Sequence, residues 1–219
     1  YRVEKMETSS SARNFEVNAS SFGIELEPGQ MVKKTIEITN WLEEEGESEF
    51  QVEIEDFAGA MDPQGTVDLR GAGDGRFGAK SWIKAEKESF SLKCGEKGHL
   101  EIEVSVPEEA EAGDHYAAVL VGSVPKKDDG IGKGANVSIR SRLGVLFFVR
   151  VKGETKEEGV LSSFEKDKKW YEKGSVSFKT VFDNRGAVRL RPQGRIEIRS
   201  MFGKVLDVIE VGPYNVLRE

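Results

Sequence analysis

The strongest constraint on this chain is a two-residue alternation of apolar and polar side chains, which runs from about residue 22 to residue 211. Successive side chains on an extended strand point to opposite faces, so this period is typical of half-buried antiparallel strands. Glycine, proline or clustered charge interrupts the alternation at short intervals. No stretch longer than a couple of turns has the spacing of an amphipathic helix. We therefore predict an all-β protein.

The predicted strands fall into two groups. The first group comprises residues 22–26, 32–40, 50–54, 100–106, 115–124 and 136–151. The second group comprises residues 160–164, 175–182, 187–190, 195–200 and 204–211, with hairpin turns predicted at 184–186 and 201–203. The nearly unbroken apolar run at residues 117–121 predicts burial on both faces. Many short strands at this spacing indicate two tandem immunoglobulin-like antiparallel β-sandwiches.

A chain of 219 residues suits two modules of moderate size. We predict a leader arm or linker at residues 1–14, an N-terminal sandwich with long loop insertions at 15–152, and a C-terminal sandwich at 153–219. The charged, glycine-bearing segment 152–158 is the predicted boundary. Because residue 219 follows a strand-like segment directly, we expect the second sandwich to be incomplete and the native chain to continue.

Charge and cysteine content narrow the function. Residues 1–152 carry 19 basic against 28 acidic side chains, whereas residues 153–219 carry 13 against 11. The acidic first module would repel phosphates, which argues against nucleic acid as a partner. The single cysteine, Cys94, precludes an intrachain disulfide, and we expect it to be a small buried apolar residue in a strand. No apolar run approaches the roughly 20 residues that span a bilayer.

The sequence lacks the motifs of a catalytic centre. The two histidines, His99 and His115, lie on separate predicted strands, and neither has a metal-ligand spacing. No nucleophile elbow or phosphate-binding loop occurs. A pair of hydrolytic carboxylates among the 39 acids remains a third-ranked alternative, because such pairs meet in space. We predict a protein that is not an enzyme and uses no cofactor or metal.

Two groups of side chains in the second module are candidates for ligand binding. Four arginines lie at alternate positions within their strands, so that they point to the same face: Arg189, Arg191, Arg195 and Arg199. Neighbouring strands could align them into one basic face that binds an anionic glycopolymer or a carboxylate. The alternative is a solvated outer face balanced by Glu197 and nearby acids. Exposed indoles stack on sugars, and Trp170 is the first candidate, although tryptophans are more often core or corner residues, as we expect for Trp41 and Trp82.

Several motifs resemble the WxL-interacting family of bacterial surface proteins. They are FGIELEPGQ at residues 22–30, TIEITN at 35–40, DPQG at 62–65 and GDHYAAVL at 113–120. VFDNRG at 181–186 and RPQGRI at 191–196 resemble a second immunoglobulin-like domain of envelope proteins. The Pro-Gly turn and the I-x-I-T-N strand are also similar to the chaperones of pilus assembly. The basic residues with which those chaperones hold a subunit's C-terminus have no counterpart that can be placed here.

The WxL-interacting resemblance implies an exported two-domain ectodomain at the cell surface, with a membrane anchor beyond residue 219. It implies that the first domain is associated with peptidoglycan and the second with host or partner binding. We therefore expect a non-enzymatic protein that attaches to cell-wall polymer or to other surface proteins. The alternative is a structural subunit of a surface filament, which self-associates when residues 1–14 add as a strand to a neighbour's open sheet edge.

Overall fold

The computed structural model describes residues 1–5, 14–42, 46–59, 67–70, 76–124, 141–166 and 176–218. The first eleven strands are β1 (Arg2–Lys5), β2 (Phe15–Val17), β3 (Ser21–Leu26), β4 (Met31–Asn40), β5 (Glu47–Gly59), β6 (Val67–Leu69), β7 (Ile83–Ala85), β8 (Ser89–Lys93), β9 (Glu96–Ser105), β10 (Gly113–Val124) and β11 (Arg142–Val151). Four more follow: β12 (Gly159–Lys166), β13 (Phe178–Asn184), β14 (Gly194–Arg199) and β15 (Val205–Val211). Across the described ranges the only helical element is a single 3-10 turn at Lys80–Trp82. The predicted all-β fold is confirmed.

The first eleven strands form a sandwich of two sheets. One sheet has the order β1-β9-β4-β2, and β7 also pairs with β9. The other has the order β3-β11-β10-β5-β6, and β8 also pairs with β5. The chain changes sheets between β2 and β3, and β3 then runs parallel to β11 while the other pairs are antiparallel. This two-sheet arrangement is immunoglobulin-like.

The core lies between these sheets and follows the predicted alternation. One sheet contributes Ile36, Ile38, Leu100, Ile102 and Val104, and the other contributes Phe50, Val119, Val121, Phe147 and Val149. Phe50 stacks on Phe90 and meets the edge of Phe15, with ring centroids 5.4 and 5.1 Å away. Close-packed aromatic rings of this kind contribute strongly to core stability.

Strand β10 is buried on both faces, as predicted. Ala117, Val119 and Val121 face the sandwich core, and the alternate residues Tyr116, Ala118 and Leu120 belong to a second apolar cluster on the outer face of the sheet. That outer cluster also includes Leu217, which comes from the far end of the chain. The outer face of β10 is therefore the place where the second module contacts the first.

The described part of the second module consists of two separate hairpin-like ribbons. Strand β12 pairs only with β13, and β14 pairs only with β15. The predicted turn at residues 201–203 is confirmed: Ser200 and Lys204 close it by backbone hydrogen bonding. The hairpin turn predicted at residues 184–186 is wrong. There the chain continues antiparallel to residues 156–158 instead of turning, because the N–H groups of Arg185 and Ala187 donate to the carbonyls of Glu158 and Lys156.

Three further expectations can be compared with the structure. Cys94 is exposed in the turn between β8 and β9, so the prediction of a buried strand residue is wrong. Trp41 is a buried core residue, as expected, and Trp82 is half-buried. In the described part of the chain, no helix has the length and apolar character needed to cross a bilayer.

Candidate functional site

The contact between the modules centres on the carboxylate of Asp114. The side chain of Asp114 is 4% exposed and accepts hydrogen bonds from Arg150, through Nε at 2.6 Å and Nη2 at 2.9 Å. It also accepts a hydrogen bond from the backbone N–H of Arg189 at 2.6 Å, and the Asp114 N–H donates to the Ala187 carbonyl. A buried carboxylate requires such partners, because desolvation of an unpaired charge is costly. Asp114 therefore ties strands β10 and β11 to the second module.

The segment at residues 216–218 returns to the first module and adds to this contact. Leu217 is buried against the aromatic cluster of Phe57, Tyr116 and Phe148, whose rings lie 5.5 to 6.0 Å apart. The N–H of Arg218 donates to the hydroxyl of Tyr116 at 3.2 Å. Burial raises the pKa of Tyr116 to about 12, so this hydroxyl is protonated at neutral pH.

The guanidinium of Arg218 is almost fully buried at the same junction. It lies 3.4 Å from the centre of the Phe77 ring and donates to the carbonyls of Ala187 at 3.1 Å and Ala112 at 3.4 Å. Its side chain is 1% exposed, and burial lowers its pKa. Cation–π contact and carbonyl acceptors compensate part of the desolvation cost. Gly113 is required beside it, because a Cβ there would clash with Arg218 and with the Ala187 carbonyl oxygen.

One of the predicted ligand-binding arginines, Arg189, belongs to this junction. Arg189 lies over the ring of Phe148, 4.2 Å from its centre. Burial lowers the pKa of Arg189, and the nearby charges of Arg191 and Arg150 act in the same direction. Arg191, two positions further along the chain, is exposed. The role of Arg189 here is to hold the modules together, which sequence spacing alone did not indicate.

The other two predicted arginines lie on β14 and share one acidic partner. Arg195 approaches Glu197 at 3.2 Å, and Arg199 forms an ion pair with the same carboxylate. Arg195 is also directly opposite Glu210 on β15. A shallow cleft of about 270 Å³ is lined by residues 193–195 and 210–212, including Arg195 and Glu210. The single carboxylate of Glu197 thus offsets one of the two positive charges of Arg195 and Arg199. Trp170, the predicted sugar platform, lies outside the described residues.

The second module exposes more large apolar side chains than the first among the described residues. Among the described residues, the exposed large apolar side chains of the first module are Val3, Met31 and Leu69. Those of the second are Leu161, Phe164, Val181, Met201, Phe202, Val205, Leu206, Val208 and Tyr214. Phe202 at the tip of the β14–β15 hairpin is 95% exposed. Contiguous exposed apolar surface usually marks a site of interaction.

The strands that carry these side chains also have unpaired edges. Each of β12, β13, β14 and β15 has one strand neighbour in the described structure, so one edge of each strand has no partner strand among the described residues. A two-stranded ribbon is marginally stable by itself, and a third strand or a covering layer stabilises it. We call the exposed apolar residues of β14, β15 and their connecting turn (Met201, Phe202, Val205, Leu206 and Val208) the ribbon surface.

Two features of the described part of the structure concern metal binding and the buried histidine. No group of three or more His, Cys, Asp or Glu side chains there is arranged to hold a metal ion. His115 is buried beside Trp82, with ring centroids 4.3 Å apart, and its Nε2 lies 2.9 Å from the Glu111 carbonyl oxygen. Burial lowers the pKa of His115. The ring is therefore a packed, neutral side chain at pH 7.

The comparisons with known proteins agree with this architecture. No protein-family profile matches the sequence, and no curated protein matches it. A chaperone–tip adhesin complex of CFA/I fimbriae biogenesis contains a chain of similar fold, with 10% identity and a TM-score of 0.53, over 94% of this chain and 82% of that one. The class 5 fimbriae chaperone CfaA is similar, with 12% identity and a TM-score of 0.51, over 94% of this chain and 83% of that one. At these identities the likeness establishes a shared fold.

Proposed function

We propose that this chain is a non-enzymatic protein of the bacterial envelope that binds another surface protein through its second module. The partner would contribute an extended segment that pairs with an open edge of the β14–β15 ribbon and covers its apolar side chains. Strand addition of this kind combines main-chain hydrogen bonds, which supply affinity, with alternate side chains, which supply specificity. The proposal places the protein outside the cytoplasm, at or near the cell surface.

The ribbon surface is the observation that carries the proposal. Five large apolar side chains lie at the turn and on one strand of a ribbon that has open edges, and Phe202 and Leu206 are 95% and 62% exposed. Leaving such side chains in water is unfavourable by about 25 cal/mol per Å² of apolar area. A covering partner removes this cost and completes the sheet.

The Asp114 junction supports the same proposal from a different direction. Hydrogen bonds of Asp114 with the backbone of Arg189 and Ala187 fix the first module to residues 187–189 of the second, and Arg150 holds the Asp114 carboxylate in place. The stable sandwich can therefore act as a support that orients the less complete module. A binding surface held in a defined orientation loses less entropy on association than a mobile one.

The similarity to solved structures supports the proposed class of protein, one that binds another surface protein. The similar structures belong to fimbrial chaperones, one of them in a complex with a tip adhesin. Such a two-module fold is therefore compatible with holding another surface protein. The resemblance of the sequence motifs to WxL-interacting proteins also favours the envelope, and membership of that family remains part of the proposal.

A protein partner is favoured over cell-wall glycopolymer by the charges of the second module. An anionic polymer requires unpaired basic groups, yet Arg195 and Arg199 both contact Glu197. The guanidinium of Arg189 lies over the Phe148 ring, and the backbone N–H of the same residue donates to Asp114. Arg189 is therefore engaged within the chain, and a single carboxylate reduces the net positive charge of Arg195 and Arg199.

Site-specific photo-crosslinking in the host cell tests the proposal. A photoreactive residue at Leu206 should yield a crosslink to one envelope protein, and the same residue at Met31 should not. Met31 is a matched control, because it is an exposed apolar residue of the first module. The purified crosslinked protein should then bind the purified chain directly.

A cell-wall assay separates the alternatives. Isolated wall treated with protease should retain none of the chain if the partner is a protein. Retention by protease-treated wall, without a crosslink at Leu206, would overturn the proposal in favour of polymer binding. Release of sugar from the wall by the purified chain would contradict the non-enzymatic assignment.

A further inference from the structure

The outer edge of β9 is shared by two short strands that come from different parts of the chain. Strand β7 pairs with residues 102–104 of β9, and β1 pairs with residues 96–99. After Ala85 the chain leaves this edge, because β8 pairs with β5 in the opposite sheet. Strand β7 therefore covers only about half of the β9 edge. Residues 1–5, which we call the arm, fill the other half.

The side chain of Tyr1 packs at a defined site on this edge, which we call the Tyr1 seat. Its ring lies 5.3 Å from the ring of Phe90, and the Lys87 ammonium lies 4.6 Å from its centre. Gly98 makes the necessary space, because a Cβ there would come within 2.6 Å of the Tyr1 hydroxyl. Burial raises the pKa of Tyr1 to about 12. The arm is thus anchored by an aromatic side chain that extends the sandwich core.

On the opposite face of the arm, a polar side chain contacts the same strand, β9. Glu4 lies 3.5 Å from Nε2 of His99, whose Nδ1 lies 3.8 Å from Glu37 on β4. Alternate residues of a strand point to opposite faces, so Tyr1 contacts the core side while Glu4 contacts the outer side. The edge of β9 therefore recognises both faces of one particular sequence.

The connection from the arm to the rest of the sheet is longer than the distance it must cross. Lys5 is opposite Glu96, Phe15 is opposite Asn40, and β9 and β4 lie between these two edges. Three strand spacings amount to about 14 Å. The nine residues at positions 6–14 reach roughly 30 Å when extended. The length of the connection does not restrict the arm to its own copy of the chain.

We propose that this β9 edge is a strand-accepting site for residues 1–5 of a second copy of the chain, so that copies associate by exchanging arms. The occupant is identified by fit, since Tyr1 over Gly98 and Glu4 beside His99 are contacts of this sequence with this edge. Exchange replaces each intramolecular contact by the same contact between copies, so it costs little free energy and depends on concentration. The site lies on the first module and is independent of the ribbon surface.

Disulfide capture between two differently labelled chains tests arm exchange. One chain carries Lys5→Cys and the other Glu96→Cys, both with Cys94→Ser, and the mixture is incubated at high concentration before oxidation. Directly opposite residues of an antiparallel pair have Cα atoms about 5 Å apart, which permits a disulfide. We expect a crosslinked heterodimer, with about half of the exchanged dimers of mixed type if exchange is reciprocal and unbiased.

Two controls make the result decisive. Lys5→Cys mixed with Ser91→Cys, an exposed position on β8, measures collisional crosslinking. Lys5→Cys and Glu96→Cys in one dilute chain should form an intramolecular disulfide, which verifies the register. Gly98→Val should abolish the heterodimer by filling the Tyr1 seat. A heterodimer yield no higher than the collisional control, or no disulfide in the double variant, would overturn the proposal.

Discussion

Arg150 and Asp114 form a bidentate ion pair across neighbouring strands, with Nε and Nη2 of the arginine 2.6 and 2.9 Å from the two carboxylate oxygens. The carboxylate is buried, whereas the arginine is 37% exposed. The same carboxylate accepts a hydrogen bond from the N–H of Arg189, so this side chain links strands β10 and β11 to the second module.

Replacing this carboxylate by an amide should weaken the junction. We expect Asp114→Asn to lower the free energy of unfolding by about 2–3 kcal/mol, because Arg150 loses its charged partner while remaining only partly hydrated. Urea denaturation followed by far-ultraviolet dichroism measures this change. Asp68→Asn removes an exposed carboxylate that pairs with Arg70, and its unfolding midpoint should equal that of the parent chain. Equal midpoints for both variants would contradict the role of Asp114.

Gly113 should tolerate no side chain. Its φ of 123° is unfavourable for other residues, and a Cβ would clash with the Ala187 carbonyl oxygen. We expect Gly113→Ala to cost more than about 2 kcal/mol of stability. Gly23→Ala is the matched control, since a Cβ at Gly23 meets no atom within 4 Å. A thermal denaturation midpoint for Gly113→Ala as high as that of the control would argue against the close approach.

Leu217 and Leu206 should respond differently to truncation. Leu217 is 7% exposed and packs in the outer cluster, whereas Leu206 is 62% exposed. We expect Leu217→Ala to reduce stability by about 2–3 kcal/mol and Leu206→Ala by less than about 0.5 kcal/mol. Chemical denaturation of the two variants makes the comparison. Similar losses would show that residues 216–218 do not dock on the first module.

The buried His115 should make the fold sensitive to mild acid. Its pKa is lowered from 6.5 by burial in the folded state, so the unfolded chain binds a proton more readily. The contribution to stability is complete above about pH 6.5 and decreases as the pH falls from there toward the folded pKa. A nuclear magnetic resonance titration of His99→Gln, which leaves one histidine signal, should give a midpoint below 6.5. A midpoint at or above that value would contradict the burial of this ring.

Local alternation was sufficient to predict much of the first sandwich. Ile36 and Ile38, or Leu100 and Ile102, recur at every second position and lie in the core because a strand buries one face. The arm was different: Arg2–Lys5 is mostly charged, and it forms a strand only because β9 offers an open edge. No local pattern contains that information.

The candidate site was harder to predict, because its contacts join residues that are far apart in the chain. Arg189 and Asp114 are separated by 75 positions, and Arg218 and Tyr116 by 102. The alternation of side chains placed Arg195, Glu197 and Arg199 on one face of β14, and the two ion pairs with Glu197 agree with the alternative of a charge-balanced outer face. The sequence predicted a turn at Met201 and Phe202. Only the tertiary structure showed that no described residue covers their side chains.

The most direct test of the account is the affinity of the purified chain for the envelope protein that crosslinks at Leu206. The double variant Phe202→Ser and Leu206→Ser removes two exposed apolar groups of the ribbon surface and should weaken binding at least about tenfold, with little change in the thermal midpoint. Met31→Ser, which alters an exposed residue of the first module, should bind as the parent chain does. Equal dissociation constants for the parent chain and the double variant would contradict the claim that the ribbon surface holds the partner.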